Sequence, residues 1–135
     1  MTTIVVDASA VVDVLVGSPR SAQLSAAMRD NILVAPELLD VEVCSALARL
    51  ERASTLTGAQ ADEALSLYLE LPVQRISHRN LRHQAWSLRR SVRIADAFYL
   101  ACAVAIDAPL LTLDRRLVRS GASNARFVPL GLPEG

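Results

Sequence analysis

The feature that most constrains this chain is a short apolar run that stops on an acid, and it occurs twice. Thr3-Ile4-Val5-Val6 ends at Asp7, and Leu110-Leu111-Thr112-Leu113 ends at Asp114. Runs this short, rich in β-branched and aliphatic residues, read as buried strands rather than helices. Ile32-Leu33-Val34-Ala35, stopped by Pro36, reads as another, Val73-Gln74-Arg75-Ile76 as a weaker one, and Arg126-Phe127-Val128-Pro129 as the last. Helical patterns fill the intervals, at about 8–16, 20–29, 37–53, 59–70, 79–91, 94–106 and 114–119. Gly17-Ser18-Pro19 breaks the first pair, and Thr57 is placed to cap the helix near 59. Short buried strands alternating with helices predict an α/β fold. The expected architecture is one domain spanning 1–135, with a central parallel sheet of four to five short strands flanked by helices.

Composition limits the alternatives. A chain of 135 residues holds one hydrophobic core and leaves no room for a second independent domain. With 52% hydrophobic and 21% charged residues it is not a disordered tail, and with 4% aromatics its core must be aliphatic. No apolar run approaches the ~18 residues of a membrane span. The N-terminus lacks a basic region and meets Asp7 early, so it does not read as a signal peptide. Cys44 and Cys102 lie in apolar, helix-like stretches without a CxxC pattern. They read as buried free thiols, which fits a reducing, cytoplasmic location.

Net charge is zero, but its distribution is uneven. Residues 1–74 carry four Arg and ten acids; residues 75–135 carry ten Arg and four acids. Such asymmetry hints at a polyanionic partner. Every base is Arg, which suits bidentate phosphate contact, although a compositional bias of the genome produces the same pattern.

The acids carry the chemistry. In open α/β sheets, ligands bind beyond the carboxyl ends of the strands, where strand order reverses. Asp7 and Asp114 each follow a strand directly, so the two share an edge if their strands are neighbours. Each also suits a helix N-cap, and capping is compatible with a site role. Glu42 and Asp96 lie in nearly apolar helical stretches, Leu38–Leu47 and Ile94–Ala103. Glu42 is expected to face the core side of its helix, where an acid is costly unless paired or metal-bound. Asp96 has a structural alternative, a salt bridge to Arg93. Four converging carboxylates would repel: two like charges 4 Å apart cost about 4 kcal/mol at an effective dielectric near 20. Raised pKa values or a divalent cation must offset that, and oxygen-only ligands point to Mg²⁺, with Mn²⁺ as a substitute. His78 and His83 are five residues apart, off a common helix face, and read as solvated surface residues.

Together these residues resemble the PIN domain family. Ile4-Val5-Val6-Asp7-Ala8-Ser9-Ala10 looks like its opening strand and D-x-S; Glu42, in a helix led by Pro36, looks like its second acid. Asp96-Ala97-Phe98-Tyr99-Leu100-Ala101 resembles the third-acid helix, and Leu111-Thr112-Leu113-Asp114-Arg115-Arg116-Leu117 the fourth-acid strand end. The chain most resembles the VapC-type toxins of toxin–antitoxin pairs. That resemblance implies a Mg²⁺-dependent endoribonuclease that cleaves RNA and arrests translation and growth. It also implies a small cognate antitoxin and a homodimer. Carried over, Asp7, Glu42, Asp96 and Asp114 form the catalytic quartet, with Asp7 and Asp96 as direct metal ligands. Ser9 and Thr112 would hydrogen-bond the acids or the scissile phosphate. Arg115 and Arg116 are assigned to RNA phosphate on charge alone. A non-catalytic RNA- or protein-binding PIN module is the alternative, disfavoured by the intact acids. A phospho-receiver would need a Lys, and the chain has none. A haloacid-dehalogenase-type phosphatase would need D-x-D where Asp7-Ala8-Ser9 stands. Apolar stripes on the helices at 20–29 and 59–70 read as core packing, or as an antitoxin groove if exposed.

Overall fold

The structure is a computed structural model, and it describes residues 1–130. Four parallel strands, β1 (Thr3–Val6), β2 (Ile32–Pro36), β3 (Val73–Ile76) and β4 (Leu110–Leu111), form one sheet in the order β3-β2-β1-β4. The chain builds outward from β1 through β2 to β3, then returns to the other side of β1 for β4. Strand order therefore reverses between β1 and β4, and the register pairs Val5 with Leu110 and Val6 with Leu111.

Period-two alternation splits the strands between two apolar layers. Ile4, Val6, Leu33, Ala35 and Leu111 point to one side; Val5, Val34 and Leu110 point to the other. The first layer is covered by α1 (Ala8–Val16), α2 (Ser21–Arg29), α3 (Leu38–Arg52) and α4 (Gly58–Glu70). The second is covered by α5 (Arg82–Ser87), α6 (Ile94–Ala105) and α7 (Arg115–Arg119). Each helix contributes an apolar stripe: Leu24 and Met28 from α2, Leu39, Val43 and Leu47 from α3, Ala61, Ala64 and Tyr68 from α4. The core is aliphatic except for two buried tyrosines, Tyr68 and Tyr99. No helix among the described residues is long and apolar enough to cross a membrane.

Local chemistry sets the ends. Gly17 stops α1 in the left-handed conformation, φ 76°, which a residue with a Cβ adopts only under strain. Thr57 and Gln60 close a reciprocal capping box on α4.

Five expectations need correction. The helix expected over 79–91 is a 3-10 turn (His78–Asn80), the short α5, and a run of turns, in which the N–H groups of Leu88, Arg89 and Ser91 donate to carbonyls three residues back and tighten the chain out of the α-helix. The strand expected over 110–113 ends at Leu111, because the N–H groups of Leu113 and Asp114 turn to the hydroxyls of Ser9 and Thr112 instead of a ladder. The last strand is one bridge, Phe127 to Leu110. Cys44 is exposed while Cys102 is buried: the buried stripe of α3 runs through 39, 43 and 47, and Cys44 lies one step round the helix. His78 is partly buried rather than simply solvated; its Nε2 accepts from the Leu38 N–H at 2.9 Å and its ring packs 4.5 Å from Phe98.

Candidate active site

The reversal of strand order places the carboxyl ends of β1 and β4 side by side, and a cleft of about 600 Å³ opens above them. Asp7, Glu42, Asp96 and Asp114 all line it. They arrive from four elements: Asp7 follows β1, Asp114 follows β4, Glu42 stands on α3 in one helix layer, and Asp96 stands in the first turn of α6 in the other. The cleft walls are helix faces at the spacing of two turns. Ser9, Val12, Asp13 and Val16 line it from α1, and Glu42, Ser45, Ala46 and Arg49 from α3.

Asp7 is the most constrained of the four. It is 5% exposed and, with Thr112, makes up the buried polar pair of the described core. The β1–β4 ladder continues to its own N–H, which donates to the Leu111 carbonyl at 3.2 Å and so sets Asp7 beside Thr112. The Ser9 hydroxyl donates to Oδ1 at 2.6 Å, the Ala10 N–H donates to the same oxygen at 3.1 Å, and the Thr112 hydroxyl donates to Oδ2. Asp7 thereby also caps α1. Burial pushes its carboxyl up to about 6; the three hydrogen bonds oppose that rise, and the charge of Glu42 adds to it. Ser9 and Thr112 are themselves anchored, since their oxygens accept from the N–H groups of Leu113 and Asp114, both at 3.0 Å.

The other acids are held more loosely. Asp114 caps α7, accepting from the N–H groups of Arg116 and Leu117 at 3.0 and 3.2 Å. Asp96 pairs with Arg93 at 3.2 Å, and its place in the first turn of α6 suits the helix dipole. Glu42 is half-buried and sits at the rim of the α3 stripe facing the cleft, not on the core side as its apolar neighbours suggest. No three His, Cys, Asp or Glu side chains among the described residues form a ready-made metal cage.

Several cleft residues escape a reading of the sequence alone. Tyr99 lies three residues after Asp96, on the same face of α6. It is 2% exposed, and its hydroxyl is buried without a hydrogen-bond partner among the described residues. Burial first, then the charge of Glu42, raise its pKa. Asp13, Arg49 and Arg93 also line the cleft. The available signal was helical spacing from Ser9, Glu42 and Asp96. Of the two arginines assigned to RNA, Arg116 lines a second cavity that adjoins the acidic cleft. Arg115 is not brought there; it lines a separate cavity of about 430 Å³ with Arg20, Arg119 and Phe127.

Comparison with known proteins places the chain in a family. The family model described as "PIN domain" matches residues 4–122. The chain is 41% identical over 121 residues to Ribonuclease VapC3 of Mycobacterium tuberculosis, covering 89% of this chain and 88% of that protein. It is 44% identical over 115 residues to Ribonuclease VapC1 of the same organism, covering 84% and 86%. Among solved structures, VapBC2 from Rickettsia felis bound to a DNA fragment from its promoter gives a TM-score of 0.68 at 14% identity, covering 93% of this chain and 97% of that one. VapC20 of M. tuberculosis, a Sarcin-Ricin loop cleaving toxin, gives 0.63 at 18% identity, covering 91% and 98%. The two solved structures share the fold, the two curated relatives share the sequence, and the chain belongs to the PIN domain family as a VapC-type member.

Proposed function

We propose that this protein is the toxin of a toxin–antitoxin pair, a Mg²⁺-dependent endoribonuclease that hydrolyses RNA phosphodiester bonds and so inhibits translation and growth. The observation that carries this reading is the arrival of four carboxylates, from both helix layers and both central strand ends, at one cleft. The identities to the ribonucleases VapC3 and VapC1 support the activity.

The donor set suits a small hard cation. It is all oxygen, and the buried Asp7 carboxyl, raised to about 6, gains most from a neighbouring positive charge. Mg²⁺ takes one or two carboxylates directly and keeps several waters, so a cage of three acids is not required. Asp7 and Asp96 would hold the ion directly, with Glu42 and Asp114 reaching its waters; Mn²⁺ would substitute. When bound, the ion supplies an activated water and neutralises charge on the phosphodiester. Ser9 and Thr112 fix the Asp7 carboxylate and keep it from rotating. Glu42 and Tyr99 line the same cleft, where Glu42 would help orient a water. Arg93 restrains Asp96 at the cleft mouth.

An RNA-cleavage assay tests the reading. Cleavage is expected with Mg²⁺, and loss is expected with EDTA and in Asp7→Asn and Asp96→Asn. Cleavage indifferent to all three overturns it. The VapBC2 neighbour is a toxin–antitoxin assembly, which supports a small cognate antitoxin for this chain. Co-purification with a small protein encoded beside it checks that partner, and light scattering checks the proposed homodimer.

A further inference from the structure

Beside the acidic cleft lies a second cavity, of about 530 Å³, with the opposite charge. Arg89, Arg90, Arg93 and Arg116 line it, and it shares Arg93, Asp96 and Asp114 with the acidic cleft, so the two adjoin. Three of the four come from one acid-free stretch: between Glu70 and Asp96 there are six Arg and no acid, and Arg89, Arg90 and Arg93 are among the six. The turn that presents it is ordered, with the N–H groups of Ser91 and Val92 both donating to the Leu88 carbonyl at 3.0 and 3.2 Å. Leu88 and Val92 pack against the second core layer. Arg90 is exposed and has no hydrogen bond or ion pair among the described residues, so its charge is available. Arg116 is 92% exposed and only 4.0 Å from Asp114.

A stacking surface adjoins this charge. Trp86, the one tryptophan of an aromatic-poor chain, is 59% exposed while every other aromatic side chain is at least half-buried. The Arg89 guanidinium lies 4.4 Å from the centre of its ring and also donates to the Trp86 carbonyl at 3.0 Å. An indole in water beside arginines matches what single-stranded nucleic acid uses: cations for phosphates and a flat face for an unpaired base. An acidic peptide would use the charge but has no base for the ring.

We propose that the pocket of Arg89, Arg90, Arg93 and Arg116 binds the RNA backbone next to the phosphate being cleaved, and that Trp86 stacks an unpaired base of the same strand. This rests on the ribonuclease reading and extends it to the path of the substrate. The strand then runs from the basic pocket, past Arg93, across the carboxylates.

Trp86 is its own reporter. A single-stranded RNA oligonucleotide is titrated into the wild-type protein in EDTA, where no turnover occurs, and tryptophan fluorescence and labelled-RNA anisotropy are followed. Quenching is expected. Trp86→Ala weakens binding roughly 5- to 150-fold, the range typical of one stacked base, and Trp86→Phe restores most of it. Arg90→Ala lowers the slope of log affinity against log salt by about 0.7, the loss of one phosphate contact. Unquenched fluorescence, with affinity unchanged in Trp86→Ala and Arg90→Ala, overturns the proposal and leaves the ribonuclease reading intact. Equal quenching by polyglutamate of matched charge, with no stronger RNA binding, assigns the pocket to an acidic protein partner and also overturns it. A wild-type protein that fails to cleave with Mg²⁺ overturns the ribonuclease reading, while RNA-specific quenching still supports the pocket.

Discussion

Asp7 and Asp96 look into the same cleft under different constraints. Asp7 is 5% exposed and takes hydrogen bonds from two hydroxyls and a backbone N–H. Asp96 has an 18% exposed side chain, and its partner is Arg93, itself 78% exposed. The strand end supplies a rigid, desolvated carboxylate; the helix supplies one restrained by a screened ion pair. Under the proposed function, a rigid first ligand and an adjustable second would admit a hydrated ion and an RNA phosphate through one opening.

The contrast is broken most sharply by Asp7→Asn. Activity falls by more than about 100-fold, beyond the 10- to 100-fold typical for residues that merely support a metal ligand. The metal-free fold at pH 7 gains up to about 3 kcal/mol, because a buried charge raised to about 6 is no longer formed. Asp96→Asn abolishes activity comparably but brings no such gain. Urea denaturation in EDTA, beside the cleavage assay, separates the two variants.

The pH dependence of the metal-free protein carries the same signature. The folded-state value of Asp7 lies above its ordinary 3.8. Between about pH 4 and 6 the folded protein therefore holds a proton that the unfolded chain has released. For this group, stability is greatest below about pH 4, falls by about 3 kcal/mol as pH rises to 6, and is flat above. Asp7→Asn removes that slope, which is followed by urea midpoints across the range.

Thr112→Val sharpens the comparison from the side of the support. It removes one of the two hydroxyls that hold Asp7 and leaves the Asp114 N–H without its acceptor. The expected loss is about 10- to 100-fold in activity or Mg²⁺ affinity and about 1–3 kcal/mol in stability. Arg93→Ala, by contrast, costs less than about 1 kcal/mol, as an exposed pair does. The smallest effect on cleavage is expected from Tyr68→Phe. Tyr68 donates to Asp40 at 2.6 Å, and Arg75 reaches the same carboxylate at 2.7 Å, away from the cleft. Loss of that bond costs about 1 kcal/mol in thermal denaturation and leaves cleavage unchanged.

Much of this was legible in the sequence, though not with the right weights. The runs ending at Asp7 and Asp114 locate the strands, and the β1–β4 pairing supplies the adjacency on which a shared edge depends. The apolar surroundings of Glu42 and Asp96 suggested that these two acids were the costly ones. The structure reverses that. A helix one residue round from its buried stripe opens onto solvent, so Glu42 and Asp96 reach the cleft, while Asp7 is buried by the sheet on one side and the Ser9–Thr112 clamp on the other. That clamp joins residues 103 apart, a separation that no local pattern encodes. The exposed Trp86 was equally hidden, because the short α5 and its turns read as one longer helix.

The most direct test of the central claim is Mn²⁺ titration, followed by electron paramagnetic resonance, of the wild-type protein and of the Asp7→Asn, Glu42→Gln, Asp96→Asn and Asp114→Asn variants. All four variants are expected to weaken Mn²⁺ binding, with Asp7→Asn and Asp96→Asn losing at least about tenfold and the other two losing less. Wild-type affinity retained in both Asp7→Asn and Asp96→Asn would contradict that claim.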